Sequence, residues 1–204
     1  MEKEWSVITH FVLNTGLGGA PDGGKFQRSP LKKFVLPLLA IVVLFALSAG
    51  AANASQAPDM PGEFPKFSSR GLNDDIVTHA IFADKKLTVL NIWTTWCPPC
   101  LEEMPDLGRL GRSMPEGSQL AGIILDAEDS ETADQAKNIL AKAQADFLQI
   151  LPVEDMSPVL GKVLAIPTTI FVNSQGKIIG TPLVGSRSEE DYRAEIEKIL
   201  KSMP

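Results

Sequence analysis

Two cysteines and two histidines are all that 204 residues supply, and that scarcity closes off several kinds of chemistry. Two cysteines cannot build the disulfide framework that holds small secreted scaffolds together. Stability must therefore come from a packed core, for which the roughly 150 residues after position 54 suffice. A structural zinc site needs about four ligands. The pool here is Cys97, Cys100, His79 and His10, and His10 is set apart from the others by an apolar segment. No metal site is expected. Covalent haem attachment needs a histidine directly after the second cysteine, and Leu101 stands there. Basic charge is short as well, with 19 Lys and Arg against 25 Asp and Glu, a net of −6. The deficit is uneven: residues 1–54 carry five basic and three acidic side chains, and the remainder carries 14 and 22. An acidic body argues against nucleic acid, and against an anionic membrane surface, as a partner of the soluble part.

Charge is missing altogether between Lys33 and Asp59. Within that gap the run from Phe34 to Leu47 is apolar throughout, and Lys32 and Lys33 precede it. Cations on that flank set the N-terminus on the cytoplasmic side and the body on the other. Two readings of residues 31–54 stay open. Fourteen apolar residues fall short of the about 20 of a spanning helix. Ala52-Asn53-Ala54 is moreover a small-residue cleavage signal, which makes the segment a signal peptide. Continued to Ala52, however, the uncharged stretch 34–52 is long enough to stay in the membrane as an anchor. Either reading places the body in a periplasmic or other extracytoplasmic space. Residues 1–30, rich in Gly and polar side chains without a period, read as a disordered tail. Residues 55–70, with Pro58, Pro61 and Pro65, read as an extended linker. Phe64 and Phe67 are expected to dock that linker on the edge of a domain running from 71 to 204.

The body alternates strand and helix patterns. Residues 74–84 fit a short strand or a helical turn. Residues 87–93 are a near-continuous apolar run, the pattern of a strand buried on both faces. A helix is expected over 101–110, kinked at Pro105, then a strand over 120–125 and an amphipathic helix over 130–145. A strand over 147–151 follows, then a short helix over 157–164 with Ser157 as its cap and Pro158 at its first position. Residues 168–173 and 177–184 form a hairpin about the turn 174–176, and Ser188 caps a last helix through Lys201. This order makes one α/β domain with a mixed sheet. The first long strand runs into Trp96-Cys97-Pro98-Pro99-Cys100. A strand ending in Cys-x-x-Cys, with the cysteines opening a helix, is the layout of a dithiol site.

Asn91-Ile92-Trp93, Trp96-Cys97-Pro98-Pro99-Cys100, Glu103-Met104-Pro105 and Ile166-Pro167-Thr168-Thr169 before a hairpin, in this order, resemble the thioredoxin superfamily. The nearest resemblance within it is to the exported TlpA/ResA-like branch, over about residues 60–201. The resemblance implies a thioredoxin fold: a central mixed sheet flanked by helices, with the helix near 130–145 as the insertion typical of that branch. Asn91 stands where thioredoxin keeps a buried Asp, and Glu103 matches a Glu that TlpA-like proteins carry after the second cysteine.

Cys97, at a helix N-terminus whose free N–H groups favour a thiolate, is the expected nucleophile, and Cys100 the resolving thiol. No cofactor beyond their disulfide is implied. Trp96 covers one side of the nucleophile, while Trp93 fits core and site equally. Glu103 by itself reads as a solvated surface glutamate; the resemblance makes it the acid that exchanges protons with the buried thiol. Glu102 reads as solvated, and His79 as a surface histidine without a role. The resemblance also makes Pro167 a cis-proline beside the dithiol, with Ile166 offering main-chain groups to an extended substrate. Pro98-Pro99 brings no cation to the thiolate, which favours a reductase over an oxidising, disulfide-forming catalyst. Such a reductase takes protein disulfides as substrates, cytochrome c apoproteins being usual in this branch. Outside the cytoplasm it needs a membrane thiol as electron donor. The alternative from another class is a copper carrier using both cysteines as soft ligands.

Overall fold

The computed structural model describes residues 58–204. The tail 1–30 and the segment 31–54 read as signal or anchor lie outside the described residues. Strand β1 (Ser68–Arg70) pairs antiparallel with β2 (Ile76–Thr78), and a 3-10 turn follows at His79–Asp84. Then come β3 (Leu87–Trp93), α1 (Pro98–Arg112), β4 (Ser118–Ile124), α2 (Ser130–Ala143) and β5 (Leu148–Ile150). Helix α3 (Ser157–Leu160), β6 (Thr168–Asn173), β7 (Ile178–Val184) and α4 (Glu189–Ser202) complete the chain. Residues 74–84, read as strand or helical turn, hold both.

The main sheet has the order β5-β4-β3-β6-β7. β3 runs parallel to β4 and antiparallel to β6, so the sheet is mixed as the alternation of elements required. This is the thioredoxin fold. All seven residues of β3 are buried, and alternation along a strand sends them to two different cores. Leu87, Val89 and Trp93 join Met104, Leu107 and Leu110 of α1, Leu140 of α2 and Tyr192, Ile196 and Ile199 of α4. Leu90 and Ile92 join Phe64, Phe67, Val77, Phe82, Met156 and Val159 on the opposite face. Burial on both faces explains the unbroken apolar run.

The second core corrects the boundary drawn at residue 71. Phe64 and Phe67 do not merely dock at an edge. They are buried at 2% and 6% exposure and pack edge-to-face with Phe82, at centroid distances of 5.3 and 6.2 Å. The prolines around them keep the segment extended, and that extended form lets it lie across the sheet and cover it. The backbone amide of Phe64 donates to the Gly176 carbonyl (2.8 Å), and Ser68–Arg70 is itself a strand. Past β1, Leu72 N–H donates to the Gln149 carbonyl and Leu151 N–H to that of Arg70, so the edge of β5 is covered rather than left open to pairing. His79 is not a free surface histidine: its ring stacks edge-on against Phe82 at 5.0 Å, and its Nδ1 lies 3.2 Å from the Pro65 carbonyl oxygen.

Helix ends differ from expectation where local caps decide. α3 stops at Leu160 instead of residue 164, and Ser157 is its first residue rather than its cap, because the turn Glu154–Met156 feeds it with backbone already helical. α2 is capped by Asp129, whose carboxylate accepts from Thr132 N–H (2.9 Å), and ends where Gln144 turns left-handed at φ 52°. α1 continues through Pro105 as one helix. α4 opens with a capping box between Ser188 and Asp191. Among the described residues no helix is long and apolar enough to cross a membrane.

One glycine allows α1 to sit close to α2. A Cβ on Gly108 would lie 2.7 Å from the Ala143 carbonyl oxygen and 2.9 Å from that of Gln144, both backbone atoms at the end of α2. In an open helix Gly→Ala is worth about 1 kcal/mol of added stability. Here the clash reverses the sign: Gly108→Ala is expected to lose about 1–3 kcal/mol as the helices are pushed apart. Urea unfolding checks this, and a gain in stability would show that α2 yields freely at that contact.

Candidate active site

Strand β3 delivers the reactive end of the molecule. It ends at Trp93, residues 94–97 form a short loop, and α1 begins at Pro98. Cys97 is the N-cap, in extended conformation. The first turn of a helix has N–H groups without carbonyl partners, but Pro98 and Pro99 occupy its first two positions and have none to offer. The first free amide belongs to Cys100, and it donates to the Cys97 sulfur at 3.3 Å. The sulfur thus sits at the positive end of the helix with one N–H aimed at it, the setting that favours a thiolate. Cys97 and Cys100 are joined in a disulfide, with Cα atoms 5.3 Å apart. Cys97 is 3% exposed and Cys100 fully buried, so a partner reaches only the first sulfur.

The other wall comes from the segment before β6. The Ile166–Pro167 peptide is cis, and the Ile166 carbonyl oxygen lies 3.7 Å from the Cys97 sulfur. Thr168 Oγ1 donates to the Ala165 carbonyl (2.7 Å), and Gly185 N–H to that of Pro167 (2.8 Å), which holds the turn in place. Ile166, Pro167, Cys97 and Cys100 therefore lie together at one end of the sheet. Trp96, next to Cys97, is 68% exposed, whereas Trp93 is wholly buried. Trp93 Nε1–H donates to Gln149 Oε1 at 3.0 Å, so the residue that fitted core and site equally is core.

Two features escaped sequence reasoning. Asp126 follows the end of β4, and because β3 and β4 are parallel their C-terminal ends lie side by side. Its carboxylate accepts from Thr95 N–H through both oxygens at 3.1 Å and from Thr95 Oγ1–H at 2.6 Å, clasping the loop that presents Trp96 and Cys97. An acid just past a strand that neighbours the Cys-x-x-Cys strand was the available signal. Leu164, two residues before Ile166, is a large apolar side chain left 88% exposed, and nothing in its local sequence distinguishes it.

Glu103 corrects the reading of a solvated glutamate: it is 2% exposed. Its Oε1 accepts from Asn91 Nδ2–H (2.8 Å), and its Oε2 from Tyr192 O–H (2.9 Å) and from Arg187 N–H (3.0 Å). Arg187 presents that amide because its guanidinium donates to the carbonyls of Val184, Gly185 and Ser186, tying down its own loop. Burial pushes the Glu103 carboxyl above the usual glutamate range, and the bonds from Asn91, Tyr192 and Arg187 pull it only part of the way back. Glu103 lies one turn beyond Cys100 on α1 and also borders a small surface hollow with Glu102, Asp106, Ser186 and Arg187.

A hollow of about 460 Å³ lies among Leu72, Leu140, Ala145 and Phe147, and no residue of the dithiol site lines it. Chemistry on a protein disulfide needs an accessible sulfur on a surface rather than an enclosing pocket, so this separation does not count against the site. Among the described residues no group of three or more His, Cys, Asp or Glu side chains is placed to hold a metal ion.

The sequence profile of the Redoxin family matches residues 60–200. The thiol-disulfide oxidoreductase ResA of Bacillus cereus is 27% identical over 177 residues, covering 86% of this chain and 98% of the relative. The sporulation thiol-disulfide oxidoreductase A of Bacillus subtilis is 28% identical over 163 residues, covering 78% of this chain and 94% of the relative. Among solved structures, a thiol:disulfide interchange protein of the thioredoxin family from Chlorobium tepidum superposes with a TM-score of 0.56 at 22% identity. That superposition covers 72% of this chain and 98% of the other, and it bears on the fold alone.

The burial of Glu103 has a measurable consequence. Its carboxyl holds a proton more tightly folded than unfolded, so between the ordinary glutamate range and its raised value the folded state carries more protons. Stability therefore falls as pH rises through that window. Glu103→Gln removes the titration. The unfolding free energy of the native protein minus that of Glu103→Gln, from urea titrations of the oxidised forms, should decrease from about pH 4 upward. A flat or rising difference would mean that the carboxyl titrates like an exposed one.

Proposed function

Because the chain belongs to the Redoxin family, we propose that Cys97 and Cys100 make it an extracytoplasmic disulfide reductase for a narrow set of proteins. Thiol-disulfide exchange is the activity of the site. In the reducing direction the Cys97 thiolate attacks one sulfur of a substrate disulfide, that S–S bond breaks, and a mixed disulfide forms on Cys97. The Cys100 thiol, giving its proton to the Glu103 carboxylate, then attacks the Cys97 sulfur. The Cys97–Cys100 disulfide closes and the substrate leaves as a dithiol, reduced by two electrons. A thiol donor in the membrane restores the pair. Trp96 and the main chain at Ile166 receive an extended substrate segment, as a sheet edge receives an added strand. Reduction before haem attachment, on cytochrome c apoproteins, fits the branch this chain resembles. Delivery beyond the membrane fits the apolar stretch 34–52 with its cationic flank.

One observation carries the direction: among the described residues Cys97 accepts a single N–H, from Cys100, and no cationic side chain bonds its sulfur. Strong oxidants owe their power to a heavily stabilised reduced form, and a thiolate with one amide partner has little of that. Equilibration with glutathione is expected to give a potential toward the thioredoxin end of the range, about −270 mV, and a value near about −120 mV would overturn the reductase direction. Cys100→Ser should trap substrates as mixed disulfides on Cys97, visible as adducts released by reductant, while Cys97→Ser traps none. Adducts of equal yield on both variants would remove the assignment of Cys97 as nucleophile.

A further inference from the structure

Glu103 must hold a proton in one state and be a carboxylate in the other, and a buried group needs partners for both. When ionised it accepts three hydrogen bonds, from Asn91 Nδ2, Arg187 N and Tyr192 O–H. When protonated it must donate one. The Arg187 amide is a pure donor, and so is the Asn91 nitrogen that faces it. The Tyr192 hydroxyl alone among the three donates or accepts by turning about its C–O bond.

We propose that Tyr192 is a positioning residue for proton transfer, its hydroxyl reversing direction as Glu103 gains or loses its proton. In the ionised state Tyr192 donates to Glu103 Oε2, and its oxygen lies 3.1 Å from Thr169 Oγ1, which is able to donate to it. On protonation the Glu103 O–H donates to the Tyr192 oxygen, and the tyrosine hydrogen swings to Thr169 Oγ1. Thr169 Oγ1 also accepts from Asn91 Nδ2 (3.1 Å), and its two lone pairs accommodate both donors. Thr169 then turns its own hydrogen away from Tyr192; Asn91 Oδ1, the other atom of the amide that touches Thr169, is buried and has no partner, Thr169 included, in the state the structure shows. Reversing the Asn91 amide is the costlier route, since it would put an NH2 group with two unmet donors where that oxygen sits. Beyond Glu103 the circuit is closed to water: Asn91 and Tyr192 are fully buried, Thr169 is 1% exposed, and burial pushes the tyrosine hydroxyl well above its ordinary range, so it turns without ionising.

The charges facing Glu103 are few. β3 and β6 contribute only the neutral Asn91 and Thr169. Arg187 comes from the loop before α4, and Glu102 and Asp106, on its own helix, border the hollow it opens to. Cys100, one turn earlier, is the other titratable group once reduced. Tyr192 on α4 is therefore the one neighbour whose hydrogen-bonding sense follows the carboxyl.

The inference rests on the dithiol reading above for its use, but its test needs no turnover. Tyr192 is the only tyrosine in the chain, so its ring C–O stretch reports a single residue. Infrared difference spectra of the oxidised full chain across a pH titration should show that band moving with the midpoint of the Glu103 carboxyl, and fixed in Glu103→Gln. A tyrosine band that stays constant while the carboxyl titrates overturns the proposal. Tyr192→Phe supplies the second readout. It removes a charge-assisted bond from the carboxylate and a weaker neutral one from the acid, so the Glu103 midpoint should shift to higher pH. An unmoved or lowered midpoint overturns it too. The same spectra separate the two readings: coupled bands in a protein that exchanges no disulfides would remove the oxidoreductase function and leave the hydroxyl reversal standing.

Discussion

A carboxyl group shut inside a protein needs donors around it, and Glu103 draws its own from three separate parts of the fold. Asn91 comes from the central strand, Arg187 from the loop after the last strand, and Tyr192 from the final helix. Thr169, from the strand on the other side of β3, closes the circuit. An ionised carboxylate without those partners would cost several kcal/mol in such surroundings. The Glu103 side chain thus adds to the contacts that hold the final helix and the loop before it against α1, among them Glu189 N–H donating to Asp106 and the packing of Ile196 and Ile199. The capping box at Ser188 begins α4 one residue after the Arg187 amide, so the helix starts where the carboxyl requires it.

The dithiol depends on a second geometric fact. β3 and β4 run parallel, which lines up their C-terminal ends and sets Asp126 against Thr95. β3 and β6 run antiparallel, which brings the start of β6, and with it Pro167, to the same end of the sheet. A mixed sheet with this order converges the nucleophile, the loop clasp and the cis-proline at one edge, although they lie far apart in the chain. The two prolines inside the Cys-x-x-Cys then strip the helix start of its first amides and leave Cys100 N–H to the sulfur. Local chemistry and topology agree at this point, as they should where a site is built on rigid elements.

Much of the fold was legible because its signals are local. The apolar run 87–93, the turn at 174–176 and the Ser188 cap report their own elements, and the strands and long helices fall within a few residues of expectation. The misreadings share a cause. Residues 58–70 look like a spacer by composition, since prolines and sparse apolar residues also describe an extended segment lying across a sheet. Phe64 and Phe67 are core only because the second face of β3 has to be covered. α3 ends early because a preceding 3-10 turn, invisible to periodicity, supplies its first turn. At Gly108 only the approach of α2 shows why a side chain does not fit.

By itself the sequence determined where the dithiol lies. Two cysteines with two prolines between them, after a buried strand, mark a pair at a helix start, because helix starts and thiolates obey local electrostatics. What only the tertiary structure decided is the state of everything around them. Whether Glu103 is solvated or buried, whether Trp93 is core or site, and whether Tyr192 and Asp126 matter at all depend on neighbours 12 to 89 residues away in the chain. Burial and hydrogen-bond direction are properties of packing, and no single stretch of sequence contains them. The Cys-x-x-Cys is legible in one stretch of chain; the circuit of Asn91, Glu103, Tyr192 and Thr169 exists only in the fold.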